Sequence, residues 1–163
     1  MPLPHSFSAG DLTVTVRQAR ADDVPAIVDL IAADQLGVTR DGIRSEADGA
    51  AYLAAFQAID ADAGEVLVVA EYDGQVIGTL QLSLIPGLAR RGSLRAQLEA
   101  VRVCEDLRGR GIGAALLAWA IDEARGRGCA LVQLTSDKTR ADSHRLYSRL
   151  GFTASHEGFK LRL

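Results

Sequence analysis

The residues best suited to chemistry lie between 94 and 127. Arg108-Gly109-Arg110-Gly111-Ile112-Gly113 stands between a stretch with strand character and an amphipathic segment with Ile112, Leu116, Leu117, Ala120, Ile121 and Ala124 on one face. Three glycines let a backbone curl closely, and the amides of a helix start then point outward with the positive end of the helix dipole behind them. Such a turn reads as a pyrophosphate cradle. Local charge agrees. Residues 90–110 hold six arginines (90, 91, 95, 102, 108, 110) against Glu99, Glu105 and Asp106, a local +3 in a chain whose net charge is -3. The plainer reading is a tight turn with solvated arginines. The letters also fit a dinucleotide fingerprint, with Gly109, Gly111 and Ala114 at the G-x-G-x-x-A positions, whereas the absence of a following G-K-[ST] excludes a Walker loop.

Two titratable side chains flank this turn. Glu99 precedes it, and Tyr147 lies ahead of Gly151-Phe152. Alone they read as a surface carboxylate and a core tyrosine, and the sequence does not bring them together. The strand holding Glu99 carries a change of phase: Leu94, Ala96, Leu98 and Ala100 place small and apolar residues on even positions, after which Val101 and Val103 place them on odd ones. Strand sides alternate strictly, so the slip predicts one extra residue, a β-bulge, near Ala100, with backbone groups turned toward a ligand. A strand buried on both faces is the alternative.

The elements that must hold these residues follow from periodicity. Thr13 to Ala19 predicts a strand, Ala21-Asp22-Asp23 a helix start, and Ile27, Leu30 and Ile31 its apolar face, with Pro25 in the first turn and Gly37 at the end. Residues 44–60 predict a second helix interrupted by Gly49. Val66 to Ala70 and Val76 to Ile85, joined at Asp73-Gly74, predict an antiparallel pair, the second alternating Leu80, Leu82 and Leu84 against Thr79, Gln81 and Ser83. A loop with Pro86, Gly87 and Gly92 leads to a strand at 94–103, a helix to Arg127, a strand at Ala130 to Thr135, a helix at 140–150, and hairpin-like strands from Phe152 to Leu163.

The chain has 163 residues, 48% hydrophobic and 24% charged, which predicts one domain over 1–163 with a core that needs no disulfide or metal. A net negative charge argues against a nucleic-acid partner. The longest small or apolar run, Ile112 to Ile121, is about half of the ~20 residues a membrane span needs, and Met1 to Gly10 lacks signal-peptide character. Cys104 and Cys129 fit no metal spacing, so no metal is expected, and unpaired cysteines suggest a cytoplasmic location.

Taken together, Val16-Arg17-Gln18-Ala19 before Asp22-Asp23, the strand Leu98 to Val103, the turn Arg108 to Gly113 and Leu146-Tyr147-Ser148-Arg149-Leu150-Gly151-Phe152 resemble the GNAT superfamily of acyl-CoA N-acyltransferases. Arg108, Gly111 and Gly113 match its Q/R-x-x-G-x-G/A signature. The resemblance implies an α/β (α+β) fold: a mixed, twisted, mostly antiparallel sheet flanked by helices, with splayed central strands. It implies acetyl-CoA as co-substrate, the pantetheine arm on backbone of Val101, Arg102 and Val103, and the pyrophosphate on Arg108, Gly109, Arg110, Gly111, Ile112, Gly113 and Ala114. Further contacts would come from Arg140 and Ser143, where family members often carry Asn and Ala. Leu131 to Leu163 is similar to the aminoalkylphosphonate acetyltransferase branch.

Under that resemblance Glu99 is the general base and Tyr147 the general acid of direct transfer to a primary amine, a small molecule. Cys104 offers a rival acetyl-cysteine route but has no partner base in sequence. Arg90, Arg91, Arg95, Lys138 and Arg140 suggest an acceptor bearing an acidic group. A silent acyl-CoA-binding regulatory module and a dinucleotide-dependent oxidoreductase stand as alternatives, and a homodimer is left open.

Overall fold

The computed structural model describes residues 2–33 and 40–161. Among them six strands lie in sequence order in one sheet: β1 (His5–Ala9), β2 (Leu12–Gln18), β3 (Glu65–Tyr72), β4 (Gln75–Ile85), β5 (Arg95–Val103) and β6 (Leu131–Leu134). The first five are antiparallel and β6 runs parallel to β5. Two-residue turns set the antiparallel pairs β1–β2 and β3–β4. Asp73 and Gly74 take positive φ of 49° and 73°, the left-handed pair that a two-residue hairpin between right-twisted strands requires.

Helices enter where a longer connection is needed. α1 (Val24–Ala32) and α2 (Glu46–Ala61) lie between β2 and β3, a single turn α3 (Ala89–Gly92) between β4 and β5, α4 (Ile112–Gly126) between β5 and β6, and α5 (Ala141–Arg149) after β6. Parallel neighbours cannot be joined by a tight turn, so α4 is the crossover that β5 and β6 demand. α2 starts where the Ser45 hydroxyl accepts the Asp48 N–H at 3.1 Å and the Asp48 carboxylate accepts the Arg44 N–H at 3.0 Å. It runs through Gly49 without a break.

The sheet separates two apolar layers. On one face Val14, Val16, Val68, Leu80, Leu82, Ala96 and Leu98 pack with Ile112, Leu116, Leu117 and Trp119 of α4. Fully burying each large side chain there contributes roughly 1.5–3 kcal/mol. On the other face Val69 packs with Val24, Ile27 and Val28 of α1 and Phe56 of α2. The start of α1 is pinned by a charged knot: the Arg17 guanidinium donates to both oxygens of Asp23 at 2.7 and 2.9 Å and to Glu71 at 2.7 Å, while the Arg20 N–H donates to Asp23 at 2.7 Å. These bonds, Arg17 foremost, hold the Asp23 carboxyl below its ordinary range against the opposing effect of burial.

β1, in a stretch for which the sequence predicts no element, pairs with β2 across Gly10-Asp11. One expectation is corrected. The hairpin-like strands at Phe152 to Leu163 do not form over 152–161. That segment is largely small and polar, and its Phe159 and Leu161 are 90% and 87% exposed, so no buried face anchors a ladder. Local bonds replace it, with Ser155 N–H donating to the Thr153 carbonyl at 3.0 Å. The helix end expected at Gly37 lies outside the described residues.

Candidate functional site

The bulge lies at the residue where the phase changes. Gln81 faces Glu99 and Thr79 faces Arg102, so Leu80 alone opposes Ala100 and Val101. Ala100 takes φ of 51°, a conformation that leaves the ladder. Pairing between β5 and β6 covers Arg95–Leu98 against Leu131–Leu134 and stops there, while β5 continues to Val103. From Glu99 onward the two strands part, and among the described residues that edge of β5 has no strand partner. The Val101 carbonyl accepts Arg102 Nη1–H at 2.8 Å, and the Val103 carbonyl accepts Arg108 Nε–H at 3.3 Å.

The turn that follows brings α4 to the mouth of this wedge. Gly109 and Gly111 have φ of 79° and 89°, and a Cβ built on either would meet no protein atom within 4 Å. Glycine is thus demanded by backbone conformation, and the space it leaves is open. Gly113 differs, because a Cβ there would lie 3.7 Å from Leu146 and Val103. Gly111 caps α4 and its carbonyl accepts the Ala115 N–H at 3.0 Å, which leaves the amides of Ile112, Gly113 and Ala114 without helical acceptors. These donors at a positive helix end suit a phosphate anion. Arg108 also lies 3.9 Å from Glu105, and Arg110 reaches Asp11 at 3.3 Å. The glycine geometry and the unspent amides fit the diphosphate of an acyl-CoA.

Glu99 and Tyr147 sit on opposite sides of the bulge, and no hydrogen bond joins them. Glu99 is exposed rather than partly buried, and it accepts Gln97 Nε2–H at 2.9 Å. Tyr147 is half-buried, its ring edge-on to Phe152 with centroids 6.0 Å apart. Burial pushes its phenol above the ordinary 10.0, opposed by the positive charges of Arg140 and Arg102. Those charges mark the approach of α5 to β5. Arg140 precedes α5 and the half-buried Ser143 stands in its first turn, behind a loop closed by Thr139 N–H and Oγ1–H donating to Asp137 at 2.9 and 2.7 Å. Cys104 is half-buried where β5 ends.

Arg90 and Arg91 are exposed in the left-handed turn α3, Lys138 is exposed, and Arg95 is half-buried with its guanidinium toward Gly87. A cavity of about 100 Å³ lies under α1 and α2 and reaches Gln81 and Ala100. Sequence reasoning missed the side chains on the open sheet face beside Glu99, although the alternation of Gln81 and Ser83 with buried leucines carried their signal. Among the described residues no group of three or more His, Cys, Asp or Glu side chains is arranged to hold a metal ion, and no helix is long and apolar enough to cross a membrane.

A strand parted from its neighbour at a bulge, beside a glycine-framed helix start, fits an extended ligand that ends in phosphate. The family model described as the Acetyltransferase (GNAT) family matches residues 31–152, and the chain belongs to that family. It is an acetyltransferase by that membership. It is 30% identical over 144 residues to an aminoalkylphosphonate N-acetyltransferase of Salmonella typhimurium strain LT2, covering 88% of each chain. A structure described as a transcriptional regulator from Bacillus halodurans C-125 is 42% identical, with a TM-score of 0.88 over 92% of this chain and 99% of that one. The fold is also that of an aminoglycoside N-acetyltransferase in complex with CoA, at 19% identity and a TM-score of 0.74 over 100% and 99% of the two chains. β5, α4 and β6 form one parallel βαβ unit at the edge of an antiparallel sheet, and no second unit extends it among the described residues as a dinucleotide fold would require.

Proposed function

We propose that this chain transfers the acetyl group of acetyl-CoA to the primary amine of a small molecule. The observation that carries the reading is the bulge at Ala100 standing beside the open, glycine-framed start of α4. Acetyl-CoA supplies an activated thioester. The amides of Gly109 to Ala114 hold its diphosphate, Arg140 and Ser143 flank it from α5, and the free edge of β5 at Val101, Arg102 and Val103 accepts the pantetheine arm as an added strand would.

An alkylammonium with a pKa near ~10.4 is about 0.1% neutral at pH 7, so the acceptor nitrogen must lose a proton before it attacks. Glu99, exposed on the open face of β5, takes that proton directly or through water. Backbone N–H at the bulge stabilises charge on the carbonyl oxygen. Tyr147 donates its phenolic proton toward the departing sulfur, with burial pushing its pKa above the ordinary 10.0. Two cysteines without a disulfide fit a reducing compartment, and we place the reaction in the cytoplasm.

A second reading, an acyl-CoA-binding module without turnover, draws support from the likeness to the Bacillus structure described as a transcriptional regulator. One assay separates the two. Thiol release from acetyl-CoA with a panel of small amines gives turnover if the first reading holds, and Glu99→Gln lowers kcat on the order of 10²-fold at pH 7 with partial recovery at high pH, where the amine deprotonates itself. Acetyl-CoA binding with no thiol release on any amine establishes the module instead.

A further inference from the structure

The face of the sheet that carries Glu99 holds a row of polar side chains across four strands. Glu65 of β3 faces Ser83 of β4, Ser83 faces Gln97 of β5, and Gln97 faces Gln133 of β6. One step along the strands, nearer the bulge, Gln81 faces Glu99. Where α1 and α2 cover this face its residues are apolar, as at Leu67 and Val69. The 65, 81, 83, 97 and 133 side chains are all half-buried.

Its hydrogen bonds run to two carboxylates. Gln81 Nε2–H and Ser83 Oγ–H donate to the same oxygen of Glu65 at 2.8 and 2.7 Å. Gln133 Nε2–H donates to Gln97 at 2.8 Å, and Gln97 Nε2–H donates onward to Glu99 at 2.9 Å. Each carboxylate is therefore oriented by neutral donors that bond one of its oxygens. Arg95, on the same strand and side, sends its guanidinium to Gly87 instead. Two strand spacings and two residues separate Glu65 from Glu99, about 12 Å between Cα atoms, and both side chains lean over the same face.

We propose that Glu65, held by Gln81 and Ser83, is a second anionic anchor of the acceptor site, and that the preferred acceptor is a short diamine whose reacting nitrogen lies at Glu99 while its other ammonium pairs with Glu65. The inference rests on the acetyl-transfer reading for the role of Glu99. It reverses the expectation of an acidic acceptor, because the charged groups this row presents, Glu65 and Glu99, are carboxylates. Attraction in this half-buried row favours a substrate charged at both ends and disfavours one whose far end is an anion.

The test uses the full chain with putrescine, n-butylamine and aminomethylphosphonate. Thiol release gives kcat and KM, and calorimetry on the protein saturated with CoA gives binding of each amine. Putrescine is expected to exceed n-butylamine in kcat/KM by tenfold or more, with the advantage shrinking as salt is raised. Glu65→Gln, which keeps shape and an acceptor oxygen, is expected to erase that advantage mainly through KM, with unchanged melting temperature and unchanged CoA affinity. Equal loss for putrescine and n-butylamine in the variant would make Glu65 a structural residue and overturn the proposal. So would preference for aminomethylphosphonate or n-butylamine by the wild type. If no amine is acetylated yet putrescine binds in a Glu65-dependent way, the anchor stands and the acetyl-transfer reading fails; if putrescine neither binds nor reacts while another amine turns over, the anchor fails and that reading stands.

Discussion

Replacing Gly111 separates the two tasks a glycine performs at the head of α4. Its φ of 89° costs an L side chain roughly 1–2 kcal/mol, and the stiffer unfolded chain returns about 0.4–1 kcal/mol. No packing is lost, since a Cβ meets nothing within 4 Å. Gly111→Ala should therefore cost about 1 kcal/mol of stability and lower Tm by about 2–4 °C. Binding should suffer more. The added methyl stands in the space where phosphate oxygens approach the amides of Ile112 to Ala114, and a tenfold loss of acetyl-CoA affinity corresponds to about 1.4 kcal/mol. Gly111→Glu places a negative charge there too and should bring binding below detection with the fold intact. Gly126→Ala is the control. That residue ends the same helix, is exposed and meets nothing within 4 Å, so it should gain about 0.5–1 kcal/mol and bind acetyl-CoA as the wild type does. Titration calorimetry with acetyl-CoA beside scanning calorimetry of each variant gives both quantities. Wild-type affinity in a folded Gly111→Glu would refute the cradle.

Tyr147→Phe keeps the edge contact with Phe152 and should slow transfer on the order of 10²-fold without weakening acetyl-CoA binding. Because burial raises the phenol pKa, any alkaline loss of turnover due to Tyr147 should lie above pH 10.0 and vanish in the variant, which pH-rate profiles of both proteins will show. Asp23→Asn should lose on the order of 2–3 kcal/mol in urea unfolding at pH 7, where the ion pair is charged. The Asp23 pKa is depressed when folded, so its stabilisation is present above the ordinary 3.8 and is lost as pH falls through the lower folded value; there the two proteins should converge. Cys104→Ala should turn over, and mass spectrometry after acetyl-CoA alone should find no acetylated wild-type enzyme, since the sequence offers the thiol no partner base for an acetyl-cysteine route.

Local rules made much of the fold legible in the residues. Asp73-Gly74 sets a hairpin, the slip from Leu98 to Val101 sets a bulge at Ala100, and Gly109 and Gly111 set a left-handed helix entry, because each is decided by sterics within a few residues. The closing strands failed for the complementary reason. Alternation at Phe159 and Leu161 states only that a segment could lie in a sheet, and whether it does depends on a surface able to bury them. The composition of the candidate site was also present in the chain, as Glu99, Tyr147 and the glycine turn. Its arrangement was not. Parting β5 from β6 after Leu98 depends on where a crossover helix sets down a four-residue strand, and the alignment of Glu65, Ser83, Gln97 and Gln133 depends on three separate strand registers. Register is fixed by burial of the opposite face, by Val66, Leu82, Ala96 and Leu98 packing under α4. Residues remote in sequence thus come to share one row only because the side chains between them are buried together, and that coupling belongs to the tertiary structure alone.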